Sequence, residues 1–176
     1  SAALAGTSFP INRRMTTKLL GFKKATENSI DSVSDRDFVV EFIFSLLMIS
    51  IHLSRLAEEI ILWSSRHFSF IELPDELYTG SSMMPQKKNP DGAELVRSKV
   101  AIIIGNLNSM LIILKGLPLS YSKDLQEDKK LTFNSFDNVL ISLQVMSETI
   151  MKIKFNKHNM LQSLENSHST ATDLAD

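Results

Sequence analysis

The chain contains no cysteine and carries almost no net charge, and both absences narrow its function. Without cysteine it can form neither disulfide bonds nor a thiolate metal site, which favours an intracellular location. A formal charge of −1 over 176 residues gives no electrostatic reason to expect a nucleic-acid or membrane partner. The eight methionines are not accompanied by histidines at metal-ligand spacing, so we also predict no metal site.

The sequence also lacks an apolar run long enough to cross a bilayer, which takes roughly 20 residues. The run 42–51 is preceded by Glu41 and followed by His52, and the run 100–114 is interrupted by Asn106. We interpret both runs as core helices. A length of 176 residues is enough for one domain with a sizeable core.

Three stretches place apolar residues at alternating steps of three and four, the pattern of long packed helices. The first helix is predicted over about 34–67 with Ser34 as N-cap, and the second ends before Gly116. Shorter helices are predicted over about 12–20 and 156–164, and because no segment alternates with period two, we predict no sheet. The three seams are Val39, Phe42, Leu46, Ile49, Leu53, Leu56, Ile60 and Trp63; Val96, Val100, Ile103, Leu107, Met110 and Leu114; and Phe136, Val139, Leu143, Met146, Ile150 and Ile153.

The predicted fold class is therefore all-α, a bundle of long helices that pack side by side at about 20°. The first long helix is apolar outside its seam as well, and a helix that is apolar on more than one face must be buried on more than one face. Missing helices, other subunits or both must cover the rest of it. The off-seam apolar residues are Phe38, Phe44, Leu47, Met48, Ile51 and Ile61.

The segment between the first two long helices carries most of the candidate chemistry. Gly80 precedes Ser81 and Ser82, and a glycine there suits a loop that moves. Serine is a poor base unless nearby cations or donors lower its pKa, and Lys87 and the amides of the following helix could do so. The alternative is a plain helix start with Asn89 as N-cap, which explains neither the glycine-serine pair nor the lysines.

The stretch 79–91, Thr-Gly-Ser-Ser-Met-Met-Pro-Gln-Lys-Lys-Asn-Pro-Asp, resembles the signature loop of the argininosuccinate lyase family within the fumarase/aspartase superfamily. The block 115–129 resembles that family's substrate-side segment, and 28–38 resembles the segment that opens its long central helix. The resemblance implies part of the family's central helical domain. It divides the chain into a lead-in segment with a short helix (1–33), a bundle segment with the catalytic loop at 79–91 (34–155), and the truncated start of a C-terminal domain (156–176).

The resemblance implies a cofactor-free β-elimination that splits argininosuccinate into arginine and fumarate. By match to the motif, Ser81 is the base, and Lys87 and Asn89 hold the carboxylate on which charge develops. Glu94 would orient a catalytic histidine. The family's histidine lies in a Thr-His motif upstream of everything in this chain, so we expect the chain alone to be inactive.

The resemblance also implies a set of substrate-binding residues. The positively charged members of this set suit a substrate with carboxylates, because Arg and Lys recognise carboxylates through charge-assisted hydrogen bonds. The alternative for 123–130 is a solvated helix start of mixed charge. The alternative for Arg36 is a surface ion pair with Asp35 or Asp37. The implied substrate-binding residues are Arg36, Ser82, Tyr121, Gln126 and Lys129.

The family's members imply a cytoplasmic homotetramer whose active sites are shared between subunits, with no cofactor, metal, nucleic acid or membrane. Three alternatives stay open. Another superfamily lyase, such as adenylosuccinate lyase or aspartase, would share the loop, but the block 121–129 argues against it. An inactive structural relative of the δ-crystallin type would keep the fold. A helical interaction module would account for the heptads but not for the glycine-serine loop.

Overall fold

The computed structural model describes residues 4–80, 83 and 88–165, and its helices confirm the all-α class. Two of the short helices agree closely with prediction. The first, α1 (Arg13–Leu19), follows an N-cap at Asn12, whose side chain accepts from the amide of Met15, and α6 (Lys157–Glu165) covers the helix predicted over about 156–164. The helices are α1 (Arg13–Leu19), α2 (Ser29–Ser34), α3 (Asp37–Ser64), α4 (Asp91–Leu114), α5 (Asp128–Lys152) and α6 (Lys157–Glu165), with 3₁₀ turns at Asp75–Leu77 and Lys123–Glu127.

The three long helices α3, α4 and α5 pack into a bundle in which α3 and α5 run parallel and α4 runs against both. Arg36 and Asp128 meet at the starts of α3 and α5. Arg97, early in α4, pairs with Glu58, late in α3. The core between them forms two clusters: Val39, Ile43, Leu46, Leu47, Ile103, Met110 and Val139; and Ala57, Ile60, Ile71, Leu73, Ala93, Val96 and Met146.

The predicted seam of α4 is buried or half-buried along its whole length. In α3 and α5 only some of the predicted seam residues are buried or half-buried, and the others are exposed. In α3 the buried stripe continues from Val39 through Ile43, Leu46 and Ser50, while Phe42 is exposed. Smaller residues face the neighbouring helices of the same chain, and the bulkiest seam residues lie beside that face. The predicted seam residues of α3 and α5 that are exposed are Phe42, Ile49, Leu56, Phe136, Leu143 and Ile150.

Ser34 is not the N-cap of the first long helix, as predicted, because a separate short helix precedes it. The Asn28 side chain caps α2 by accepting from the amides of Ile30 and Asp31. Helix α3 then begins at Asp37, whose amide donates to Asp35 Oδ1 at 3.0 Å. The chain offers several Asn, Asp and Ser capping groups in this stretch, and sequence alone does not choose among them.

The prediction of no sheet is wrong for two short antiparallel pairings. Strand β1 (Ile71–Glu72) pairs with β4 (Lys154–Phe155), and β2 (Thr79–Gly80) pairs with β3 (Lys88–Asn89). Strands of two residues show no alternation of polar and apolar side chains, so a period-two search misses them. The β2–β3 pairing joins the two arms of the predicted catalytic loop.

Helices α3 and α4 are long and apolar enough, by length and composition alone, to cross a membrane. The expectation that the chain has no stretch of that length is therefore wrong. The core helix of a soluble protein passes the same test, and α3 and α4 pack on each other and on α5. The absence of a membrane partner stays a prediction.

Candidate active site

Ser81, Ser82 and Lys87 lie outside the described residues, whereas both arms of their loop are described. On one arm the Thr79 hydroxyl donates to the carboxylate of Asp91, in the first turn of α4. This side-chain bond adds to the β2–β3 pairing, in which Thr79 lies opposite Asn89. The base of the loop is therefore fastened to the start of α4.

Lys88, on the other arm, forms an ion pair with Asp75 and lies 5.3 Å from the centre of the Tyr78 ring. Their hydrogen bond lowers the pKa of Asp75 and raises the pKa of Lys88. Both side chains are largely exposed, at 57% for Lys88 and 86% for Asp75, so water screens the pair and its contribution to stability is small.

Asn89 and Glu94 occupy the end of the loop and the first turn of α4. Asn89 is half-buried in β3 and is not the N-cap that sequence predicted. Instead the carbonyl of Pro90 accepts from the amides of Ala93 and Glu94, so α4 begins one residue later than predicted. The Glu94 side chain is exposed, and among the described residues none forms a hydrogen bond or ion pair with it.

Two of the substrate-side residues, Arg36 and Lys129, bind an acid that sequence reasoning missed, Asp128. Arg36 Nε donates to Asp128 Oδ2 at 2.6 Å, and the two side chains are only 15% and 10% exposed. The alternative of a surface ion pair with Asp35 or Asp37 is wrong, because the Arg36 guanidinium pairs with Asp128 and meets Asp35 only at the backbone carbonyl, 2.8 Å from Nη1.

The other oxygen of Asp128 is bound by Lys129, whose Nζ lies 3.2 Å from Oδ1 while its side chain stays 66% exposed. Burial of the Asp128 carboxyl opposes its ionisation, but the hydrogen bonds and charges of Arg36 and Lys129 outweigh burial and lower its pKa. The alternative of a fully solvated helix start is therefore wrong at this residue. The sequence around Asp128 gave no local signal for this role, because its partner Arg36 lies 92 residues away.

Tyr121 and Gln126 lie near this cluster in sequence and are both exposed. Ser120 precedes Tyr121 with a backbone φ of 79°, a conformation that residues other than glycine rarely adopt. The structure thus leaves the side chains of the predicted substrate segment open to a ligand.

The catalytic and substrate-side residues lie at opposite ends of the bundle. Asn89 and Glu94 are at the start of α4, which packs near the ends of α3 and α5, whereas Arg36 and Lys129 are at the starts of α3 and α5. Gly92, in the first turn of α4, lies beside Val145, which is 17 residues after Asp128 in α5, so at 1.5 Å per residue the two groups are roughly 25 Å apart. A single chain does not bring them together.

Comparison with known proteins decides the family. The model of a family described as lyase matches residues 1–105, more than half of the chain. The chain belongs to this lyase family. Across the described residues, no group of three or more histidine or acidic side chains could hold a metal ion. The absence of a metal from this lyase stays a prediction.

The curated relatives of this lyase support the predicted resemblance to argininosuccinate lyase, which is confirmed. The argininosuccinate lyase of Ehrlichia canis (strain Jake) is 56% identical over all 176 residues, which cover 37% of its own length. That of Lactococcus lactis subsp. lactis (strain IL1403) is 54% identical over all 176 residues and 38% of its length. The chain thus spans little more than a third of the length of the relatives it matches.

Solved structures confirm the fold. EDDS lyase in complex with formate matches 98% of this chain and 34% of its own, with a TM-score of 0.85 and 35% identity. A variant of EDDS lyase with bound fumarate also gives a TM-score of 0.85, at 34% identity and the same coverage. The class II fumarase of Schistosoma mansoni, at 20% identity and a TM-score of 0.71 over 91% of this chain, shares the fold.

Proposed function

We propose that this chain is part of an argininosuccinate lyase, which splits argininosuccinate into arginine and fumarate in arginine biosynthesis or the urea cycle. The observation that carries the proposal is an identity of 56% over all 176 residues to an enzyme of that name. The substrate-side block distinguishes this proposal from adenylosuccinate lyase or aspartase, whose loops would be similar.

The proposed reaction needs a base, an acid and a stabiliser of negative charge. Ser81 removes a proton from the carbon next to a substrate carboxylate. The electron pair left on that carbon spreads onto the carboxylate, which Lys87 and Asn89 hold, because preorganised cations and donors stabilise charge where it develops. That electron pair then forms the carbon–carbon double bond of fumarate as the carbon–nitrogen bond breaks, and an acid protonates the leaving guanidino nitrogen. Glu94, whose side chain is exposed, would orient a histidine from another segment.

The substrate-side cluster has the charge that argininosuccinate requires. The substrate carries three carboxylates, and Arg36 and Lys129 present two positive charges against the single negative charge of Asp128. One unit of positive charge is left among these three side chains, and the side chains of Tyr121 and Gln126, which are close in sequence, are exposed. Charge-assisted hydrogen bonds from such cations are the strong ones in carboxylate recognition.

Separation of the two groups of residues supports sites shared between subunits. Residues that lie roughly 25 Å apart in one chain act on one substrate only if another copy supplies the complementary group. Exposed apolar seams on α3 and α5 supply surface for such an assembly. We therefore propose that the complete protein is a homotetramer and that the 176-residue chain alone is inactive. We also propose that the protein is cytoplasmic.

The test is fumarate release from argininosuccinate, followed by ultraviolet absorbance, with the complete gene product. Ser81→Ala is compared with wild type and with Ser163→Ala, an exposed serine of α6. We expect Ser81→Ala to lower turnover by about 10²–10⁴-fold, as loss of a general base does, and Ser163→Ala to match wild type. Wild type that refuses argininosuccinate but accepts adenylosuccinate or aspartate is a different lyase, and refusal of all three indicates a structural relative.

A further inference from the structure

We propose that Asp128 is a positioning residue, which fixes the Arg36 guanidinium so that a single nitrogen, Nη2, is presented to the substrate. The proposal rests on the proposed function, because it assigns Arg36 to substrate binding. It adds a residue, Asp128, that no part of the predicted site included.

The Arg36 guanidinium is held from two sides. Nε donates to Asp128 Oδ2 at 2.6 Å, and Nη1 donates to the carbonyls of Asp35 at 2.8 Å and Val33 at 3.4 Å. A guanidinium has five N–H donors, and these bonds engage the Nε and Nη1 sides. Among the described residues no acceptor engages Nη2. Arg36 therefore cannot clamp a carboxylate with two nitrogens while these bonds persist, and it contributes one directed donor.

Asp128 is built into the fold more firmly than either cation it binds. It is the first residue of α5, its side chain is 10% exposed, and its backbone carbonyl accepts from the Thr132 hydroxyl at 2.6 Å. Through Arg36 it joins the start of α5 to the junction of α2 and α3, 92 residues earlier in the chain. Loss of the Asp128 carboxylate would therefore leave the Arg36 guanidinium held only through Nη1, by the backbone carbonyls of Val33 and Asp35.

The carboxylate also keeps two like charges together. Oδ2 binds Arg36 and Oδ1 binds Lys129, so one acid lies between two cations that the resemblance assigns to the same substrate. Without it the cations repel each other, and the half-buried Arg36 loses its counter-ion and its fixed direction. Lys129 is 66% exposed and can exchange Asp128 for a substrate carboxylate, whereas Arg36 at 15% is confined.

The test is a double-mutant cycle in the complete gene product with argininosuccinate as substrate. We expect Asp128→Ala to lower kcat/KM by about 100-fold, the loss that a misplaced binding group causes, and mainly through KM. Arg36→Met should lower kcat/KM at least as much. The double variant should have the same kcat/KM as Arg36→Met, because Asp128 acts through Arg36. Asp124→Asn, an exposed acid in the preceding 3₁₀ turn, is the matched control and should equal wild type.

Asp128→Asn keeps the fold testable if the alanine variant unfolds, because it retains the shape and the acceptor oxygen and removes only the charge. We expect a smaller rise in KM than for alanine, with an unchanged oligomer. Losses that multiply in the double variant, or an Asp128→Asn enzyme with wild-type KM, overturn the positioning role. A wild type without argininosuccinate turnover overturns the proposed function first and this inference with it, so the two failures are distinct.

Discussion

Phe42 of α3 and Phe136 of α5 stack with their ring centroids 6.5 Å apart and their planes inclined by 21°. Both rings stay almost half exposed, at 43% and 45%. Seven residues later in each helix, Ile49 and Leu143 are also exposed. The result is an apolar face along both helices that no described residue of the chain covers, the kind of surface that monomeric soluble proteins seldom expose.

We predict that charges on this face disrupt the assembly. Ile49→Glu combined with Leu143→Glu should shift the complete gene product from its oligomer to smaller species, because a buried unpaired carboxylate is strongly unfavourable. Light scattering coupled to size exclusion measures the change. Ser45→Glu with Gln144→Glu, at exposed polar positions of the same helices, is the control and should leave the mass unchanged. A double variant with wild-type mass would show that this face is not an interface.

A pH dependence follows from the Asp128 carboxyl, whose pKa is lowered in the folded chain because bonds from Arg36 and Lys129 outweigh its burial. Its stabilisation is present above the unfolded pKa of about 4 and is lost as pH falls through the lower folded value. Near neutral pH the free energy of unfolding of wild type should exceed that of Asp128→Asn by about 2 kcal/mol, the usual contribution of hydrogen bonds to a charged group. The difference should close on acidification.

Thermal unfolding of both proteins, from about pH 7 to about pH 3, checks this window. Asp75→Asn is the matched control, since the pKa of Asp75 is also lowered, by Lys88, but its side chain is 86% exposed. Water screens that pair, so Asp75→Asn should differ little from wild type at any pH. A difference for Asp128→Asn that widens on acidification would contradict the assignment.

A third prediction concerns two glycines of α4. A Cβ on Gly92 would lie 3.3 Å from Val145 Cγ1, whereas nothing lies within 4 Å of a Cβ on Gly105. Replacing glycine by alanine in a helix is worth about 1 kcal/mol, so Gly105→Ala should raise the melting temperature. Gly92→Ala should fail to raise it, because crowding of a half-buried neighbour costs about 1 kcal/mol or more.

Val145→Ala supplies the check, since it removes the crowding methyl groups. In that background Gly92→Ala should gain the full helical benefit that Gly105→Ala shows in wild type. Equal stabilisation by both alanines in wild type would mean that Val145 moves aside at no cost.

How far the sequence predicted the fold depended on where each helix finds its partners. The seam of α4 was predicted along its whole length because the helices that pack on it, α3 and α5, lie within the chain. For α3 and α5 the heptad pattern marked residues that are apolar, but it does not state which partner covers them. Phe42 and Leu143 were therefore assigned to a core that the chain itself does not form.

The candidate site shows the same division. Its loop could be predicted because Gly80 and Asn89 belong to one continuous motif, and the structure joins the arms of that motif in one β pairing. Asp128 could not be predicted by local reasoning, because its importance depends on Arg36, 92 residues away. In the sequence it was one of several alternating charges, and only the packing of α5 against the start of α3 singles it out.

The two adjacent lysines of the loop should behave differently when each is replaced by methionine. Lys88 is engaged by the carboxylate of Asp75 and the ring of Tyr78, an exposed set of contacts whose loss should change kcat/KM by less than about threefold. Replacement of Lys87, which we propose holds the carboxylate on which charge develops, should lower kcat/KM by about 10²–10³-fold, as loss of one preorganised charge-stabilising donor does.

Steady-state kinetics on the two variants with argininosuccinate measure the contrast, and the loss for Lys87→Met should appear in kcat as well as in kcat/KM. Asp75→Asn should reproduce the small effect of Lys88→Met, because it breaks the same ion pair from the other side. If Lys88→Met proved the more damaging and Asp75→Asn stayed harmless, Lys88 rather than Lys87 would be the cation that acts on the substrate.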